Sequence, residues 1–132
     1  MSEEIPERRD LLRSTVLTIL FTVVFVVLGL AFWAWSSLEV IATSPVGAIN
    51  EFNPAVTVVL EVLIMFMTFV FLLVTVINLR LALTNIRAGW TEVIITVIFI
   101  AIMSTGMFAL FVGSMTVILS LGFVVYLYLI QD

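Results

Sequence analysis

Glu61 is the one charged residue in the run Pro54–Leu79, and it is the clearest candidate for chemistry in the chain. It lies seven residues past Pro54, about 10 Å along a helix. A charge at the centre of a bilayer costs about 2.5–3.5 kcal/mol. A carboxyl at such a position is expected to hold its proton, find a hydrogen-bond donor or sit in a wet cavity. Thr57, Thr68, Thr75 and Asn78 share with Glu61 an arc of about 100° at helical spacing. That stripe is expected to be buried in protein or to line water, and it makes a candidate proton- or ion-coupling site. The plainer reading of Glu61 is a neutral or hydrogen-bonded residue that fixes helix packing, or one close enough to the interface to reach water. Its moderate depth favours the plainer reading. Asn78, at the far end of the stripe beside Arg80, is accounted for by interfacial solvation.

Other chemistries lack their residues. The chain has no Cys and no His, so thiolate and imidazole metal sites, disulfides and the usual base near neutral pH are absent. No nucleophile–base pair, paired carboxylates or Gly-rich phosphate loop is present, which predicts no enzyme activity, no metal and no cofactor. All five cations are Arg and the net charge is −4, so nothing resembles a nucleic-acid-binding surface. Met65, Met67, Met103, Met107 and Met115 have no repeated spacing and read as gap-filling residues.

The elements that must hold Glu61 follow from composition. Only 11% of residues are charged and 64% are hydrophobic, against about 25% charged in soluble domains. A spanning helix needs about 20 apolar residues. The chain therefore reads as a single all-α integral membrane domain with the lipid bilayer as its solvent. Four transmembrane helices are expected at about 14–35, 54–79, 90–104 and 106–130. Residues 1–13 read as a cytoplasmic tail, 36–53 as an external loop and 80–90 as a cytoplasmic loop. In the first span Thr15, Thr18, Thr22 and Gly29 share one arc that should face protein. Thr43-Ser44-Pro45-Val46-Gly47 reads as a turn. Asn53-Pro54 reads as a helix start with Asn as the cap. Gly89 is expected to close the second span and Thr91 to cap the next.

Val93–Gln131 contains no charge in thirty-nine residues, long enough for a hairpin or for one helix about 58 Å long. The spanning-length rule favours two spans broken near Ser104-Thr105-Gly106; the alternative is three spans with one very long third helix, 91–130. Thr105, Gly106, Ala109, Gly113, Thr116 and Ser120 share one arc of about 100° across this run. Gly106, Ala109, Gly113 and Ser120 are accordingly expected to form a helix-packing surface. Trp33, Trp35 and Trp90 read as interfacial anchors. Arg8, Arg9, Arg13, Arg80 and Arg87 fall on one side after two spans, which predicts a cytoplasmic N-terminus in a plasma-membrane protein.

In outline, four spans with an embedded Glu are similar to the small multidrug exporters. That family carries its essential Glu in the first span, which is uncharged here, and the chain is not assigned to it. Nor is it the two-helix hairpin of ATPase rotor rings. The expected function is a structural or accessory subunit of a larger membrane assembly, partnered by other membrane subunits or by copies of itself. The alternative is a small homo-oligomeric proton-coupled transporter or channel using Glu61.

Overall fold

A computed structural model describes residues 8–84 and 89–131. Its architecture is all-helical: α1 (Arg8–Trp35), a short 3-10 turn (Ile41–Thr43), α2 (Pro45–Phe52), α3 (Pro54–Thr84), α4 (Trp90–Met107) and α5 (Leu110–Gln131). Four of these, α1, α3, α4 and α5, are long and apolar enough to cross a membrane. At 1.5 Å per residue α3 is about 46 Å long, whereas α4 is about 27 Å, close to the thickness of a hydrocarbon core.

The helices alternate in direction. Asn78, late in α3, donates to Ser14, early in α1, at 2.9 Å. The Arg80 guanidinium near the end of α3 is ion-paired with Glu92 at the start of α4. Trp90 in α4 lies 6.3 Å from Tyr128 in α5, ring centre to ring centre. The beginning of α1 and the end of α5 therefore lie at the same end of the bundle.

Helix α3 is the central element, touching α1, α2, α4 and α5. Phe71 of α3 stacks on Phe21 and Phe25 of α1, with centroids 5.0 and 5.7 Å apart. On its other side Phe66 and Phe69 meet Phe123 of α5 edge-on at 6.1 and 6.3 Å. Such aromatic pairs contribute about 0.5–1.5 kcal/mol each beyond simple burial. Phe69, Leu73 and Ile100 are fully buried in a mid-bundle cluster with Val124. A second cluster near the α2 end joins Phe32, Val46, Ile64 and Met65.

Several expected boundaries move. Helix α1 already includes residues 8–13, assigned to the tail; residues 1–7 lie outside the described residues. The loop 36–53 contains α2, because Ser44 caps it and Pro45 occupies its first turn. The Ser44 hydroxyl accepts the Gly47 N–H at 3.2 Å. Gly47 itself sits where a Cβ would meet the Ile41 carbonyl, so only glycine lets α2 fold back against the turn before it. Asn53 caps α3 as expected, its Oδ1 accepting the Ala55 N–H at 3.0 Å. Helix α3 runs past Leu79 to Thr84, so Arg80 is helical; Arg87 lies outside the described residues.

At the start of α4 the cap is Gly89, not Thr91. The second oxygen of Glu92 accepts the Gly89 N–H at 2.8 Å while the first holds Arg80. Glu92 thus ties the α3 end to the α4 start. Arg80→Ala is expected to cost about 1 kcal/mol, because its side chain is 41% exposed and partly screened. Glu92→Gln, which keeps an acceptor for Gly89, should lose less than Glu92→Ala. Denaturant titration of the purified variants checks the order.

The long uncharged run is a hairpin, not one helix over 91–130. The break falls at Phe108-Ala109, four residues beyond Ser104. Phe108 leaves the helical region at φ −117° and ψ −87° and packs against the cluster of Phe32, Val46, Ile64 and Met65. The chain can turn so tightly because Gly113 lies against Thr105: a Cβ there would stand 3.2 Å from the Thr105 Cα and closer still to its side chain.

Candidate functional site

The stripe on α3 is turned inward. Thr57, Glu61, Thr68 and Thr75 are all buried, and Asn78 is half-buried. Their polar atoms are not linked into one network. Thr68 donates to the Ile64 carbonyl at 2.8 Å and Thr75 to the Phe71 carbonyl at 2.7 Å. A buried hydroxyl closed on its own helix needs no other partner, so these threonines serve packing. Only the two ends of the stripe reach other elements. Thr57 donates to Asn50 of α2 at 2.6 Å, and Asn78 donates to Ser14 of α1. Asn78 is therefore an interhelical contact, beyond the solvation expected from its position.

Glu61 differs from its neighbours. The residue is 8% exposed and makes no hydrogen bond or ion pair to any described residue, yet its carboxyl oxygens are not among the fully enclosed polar atoms and keep some contact with the exterior. A carboxyl with no donor and little access to solvent is costly to ionise. Between its level and the Arg end, Met65, Phe69, Leu73 and Ile100 are each 0% exposed and close the bundle interior with apolar side chains.

The inward face of α1 carries Thr15 and Gly29 buried and Thr18 and Thr22 half-buried. The expected packing surface in the last two helices divides. Gly113, Thr116 and Ser120 are buried. Gly106 and Ala109 are exposed, and a Cβ on Gly106 would meet nothing within 4 Å. The reason is the break at Phe108-Ala109: it separates residues that would share an arc only on one continuous helix. Trp33 and Trp90 are exposed at opposite ends of the bundle, whereas Trp35 is half-buried against Phe32. Beside Trp90 a shallow notch is lined by Val124, Val125 and Tyr128, with no charged group in it.

Buried polar residues outside the expected arcs of α1, α3 and the last run are Ser44, Thr96 and Ser104. Thr96 and Ser104 donate to the Glu92 and Ile100 carbonyls, each at 2.7 Å. Their spacing, eight residues with Ile100 between, already marks one helical face. Asn50 had no such signal, because its role depends on α2. The Thr116 Oγ1, wholly buried, has no partner among the described residues.

Comparison with protein-family models, curated proteins and solved structures finds no match. What the site can do has to be judged from its own geometry.

Proposed function

We propose that this chain is a multi-pass integral membrane protein that acts as a structural or accessory subunit of a larger membrane assembly. Membrane insertion is supported by the distribution of side chains. Large apolar residues such as Val16, Leu20, Val27, Ile95, Ile102, Ile118 and Leu129 point outward, while Thr15, Thr68, Thr75, Thr96, Ser104, Thr116, Ser120 and Glu61 are buried. In water so much exposed apolar surface would drive association; in lipid it is the expected exterior. Arg9, Arg13 and Arg80 gather at one end, which the positive-inside rule places in the cytoplasm, with the N-terminus and α5 end there and α2 outside. Single cysteines in place of Ser2 and Asp132 are expected to label from the same side, the plasma membrane's cytoplasmic face.

The subunit role is carried by one observation. Gly106 and Gly122 are exposed on α4 and α5, and a Cβ on either would meet nothing within 4 Å. Small residues on a lipid-facing helix allow a second helix to come close. Between Glu61 and the Arg end the fully buried Met65, Phe69, Leu73 and Ile100 close the interior, which favours a surface over a passage as the chain's contribution. Gly106→Leu and Gly122→Leu are expected to leave the isolated chain's unfolding midpoint unchanged but to remove the partner from the particle extracted in mild detergent. Variants that retain the partner would reject this surface.

A second reading has a specific observation in its favour. The lone buried carboxyl of Glu61 fits a proton-coupled transporter or channel assembled from several copies, with the path between chains. In that case Glu61→Gln abolishes proton flux in liposomes while the protein still inserts. In the subunit reading Glu61→Gln leaves function nearly intact.

A further inference from the structure

Glu61 has a feature independent of either role: no positive charge among the described residues is paired with it. The sequence has no Lys or Arg between Arg13 and Arg80 and none after Arg87. The elements around the α2 end contribute only acids. Glu39 in the turn and Glu51 on α2 are both exposed, and α1 from Ser14 onward, α4 from Val93 onward and α5 carry no charge at all. An ionised Glu61 would stand on a buried position without a donor or a neighbouring cation among the described residues.

Helix α2 meets α3 on both sides of this residue along the helix. One turn before Glu61, Thr57 is held to Asn50 of α2 at 2.6 Å. About one turn after it, Ile64 and Met65 join Val46 of α2 in the same buried cluster. Glu61 thus sits between the two places where α2 grips α3. Further along the bundle, the fully buried Met65, Phe69, Leu73 and Ile100 close the way toward the Arg end.

We propose that Glu61 is a proton-binding site reached from the α2 end of the bundle, with α2 as its lid and the Asn50–Thr57 hydrogen bond as the latch. The ligand is a proton because a single carboxyl is too poor a donor set for a metal ion, and no group of three or more His, Cys, Asp or Glu gathers among the described residues. The site deepens the second reading by naming its ligand and side of entry. It also stands if the protein moves no protons, so loss of flux and loss of this site are separate results.

The test uses the full chain in phosphatidylcholine vesicles at neutral pH with dicyclohexylcarbodiimide, an apolar reagent that reacts with protonated carboxyls. The acid proton passes to a carbodiimide nitrogen, the carboxylate oxygen bonds to the central carbon, and rearrangement to the acylurea leaves every atom in the adduct. Peptide mass spectrometry is expected to find one adduct at Glu61, none at Glu39 or Glu51, and none on α3 in Glu61→Gln. Thr57→Val, which loses the hydroxyl, is expected to raise the labelling rate about fivefold, the factor corresponding to one hydrogen bond. Thr57→Ser, which keeps it, should react at the original rate and shows that the helix tolerates change there. A water-soluble carbodiimide added on the α2 side is expected to reach Glu61 faster in Thr57→Val than in Thr57→Ser. No adduct at Glu61, or protection by sodium at constant pH, would overturn the proton assignment. Equal rates in Thr57→Val and Thr57→Ser would overturn the lid.

Discussion

Gly113→Leu is expected to prevent α4 and α5 from closing into a hairpin, with a large loss of stability. A Cβ at position 113 is obstructed first by the Thr105 side chain and then, at 3.2 Å, by the Thr105 Cα. A flexible side chain can swing away, but backbone moves only if the helix moves. Overpacking typically costs about 1–3 kcal/mol, and here relief requires separating two helices one turn from their connection, which places Leu at or above the top of that range. Gly113→Ala should fall within it. Thr105→Ala removes the nearest obstructing atom and is expected to restore part of the loss, so the two positions should couple in a double-mutant cycle. Gly106→Leu is the control: nothing lies within 4 Å of its Cβ, and the unfolding midpoint should not move. Titration with a denaturing detergent, followed by circular dichroism, reads all four variants.

Phe69→Ala is the second large effect. Phe69 is 0% exposed, meets Phe123 edge-on at 6.3 Å and packs in the cluster with Leu73, Ile100 and Val124. In a soluble core this truncation costs about 3–5 kcal/mol. In lipid the separated helices remain in apolar surroundings, so little transfer energy is lost and the lost packing dominates. We expect about 2–3 kcal/mol, measured by the same titration. A loss near 5 kcal/mol would mean that the reference state exposes Phe69 to water. Phe66→Ala, half-buried and also edge-on to Phe123, should cost less.

These two positions mark what could and could not be read from the residues alone. The four long helices follow from run length and lack of charge. The inward turn of the Thr57–Asn78 stripe and of Thr15 and Gly29 follows from helical spacing, because polar atoms are the only strong signal in an otherwise apolar chain. That α3 is the hub has no such signal. Phe69 faces the bundle and Val59 or Leu63 faces outward, yet all are apolar, and lipid and protein interior accept them equally. The break at Phe108-Ala109 was hidden for a related reason. Ser104-Thr105-Gly106 looks more like a turn, but the position of the turn is set by tertiary contacts: Phe108 packing near Ile64 and Met65, and Gly113 against Thr105. Helix α2 did leave a local mark, Ser44 followed by Pro45, a cap and a first-turn proline that also read as a turn. Without α2 the link from Asn50 to Thr57, and hence the cover over Glu61, was out of reach.

The most direct test of the subunit role is the composition of the particle that a tagged copy brings out of its native membrane in mild detergent. The account predicts a second membrane protein in fixed stoichiometry with this chain, lost in Gly106→Leu or Gly122→Leu while the chain itself stays folded. A particle containing only this chain, as a monomer or as a ring of copies, would contradict it.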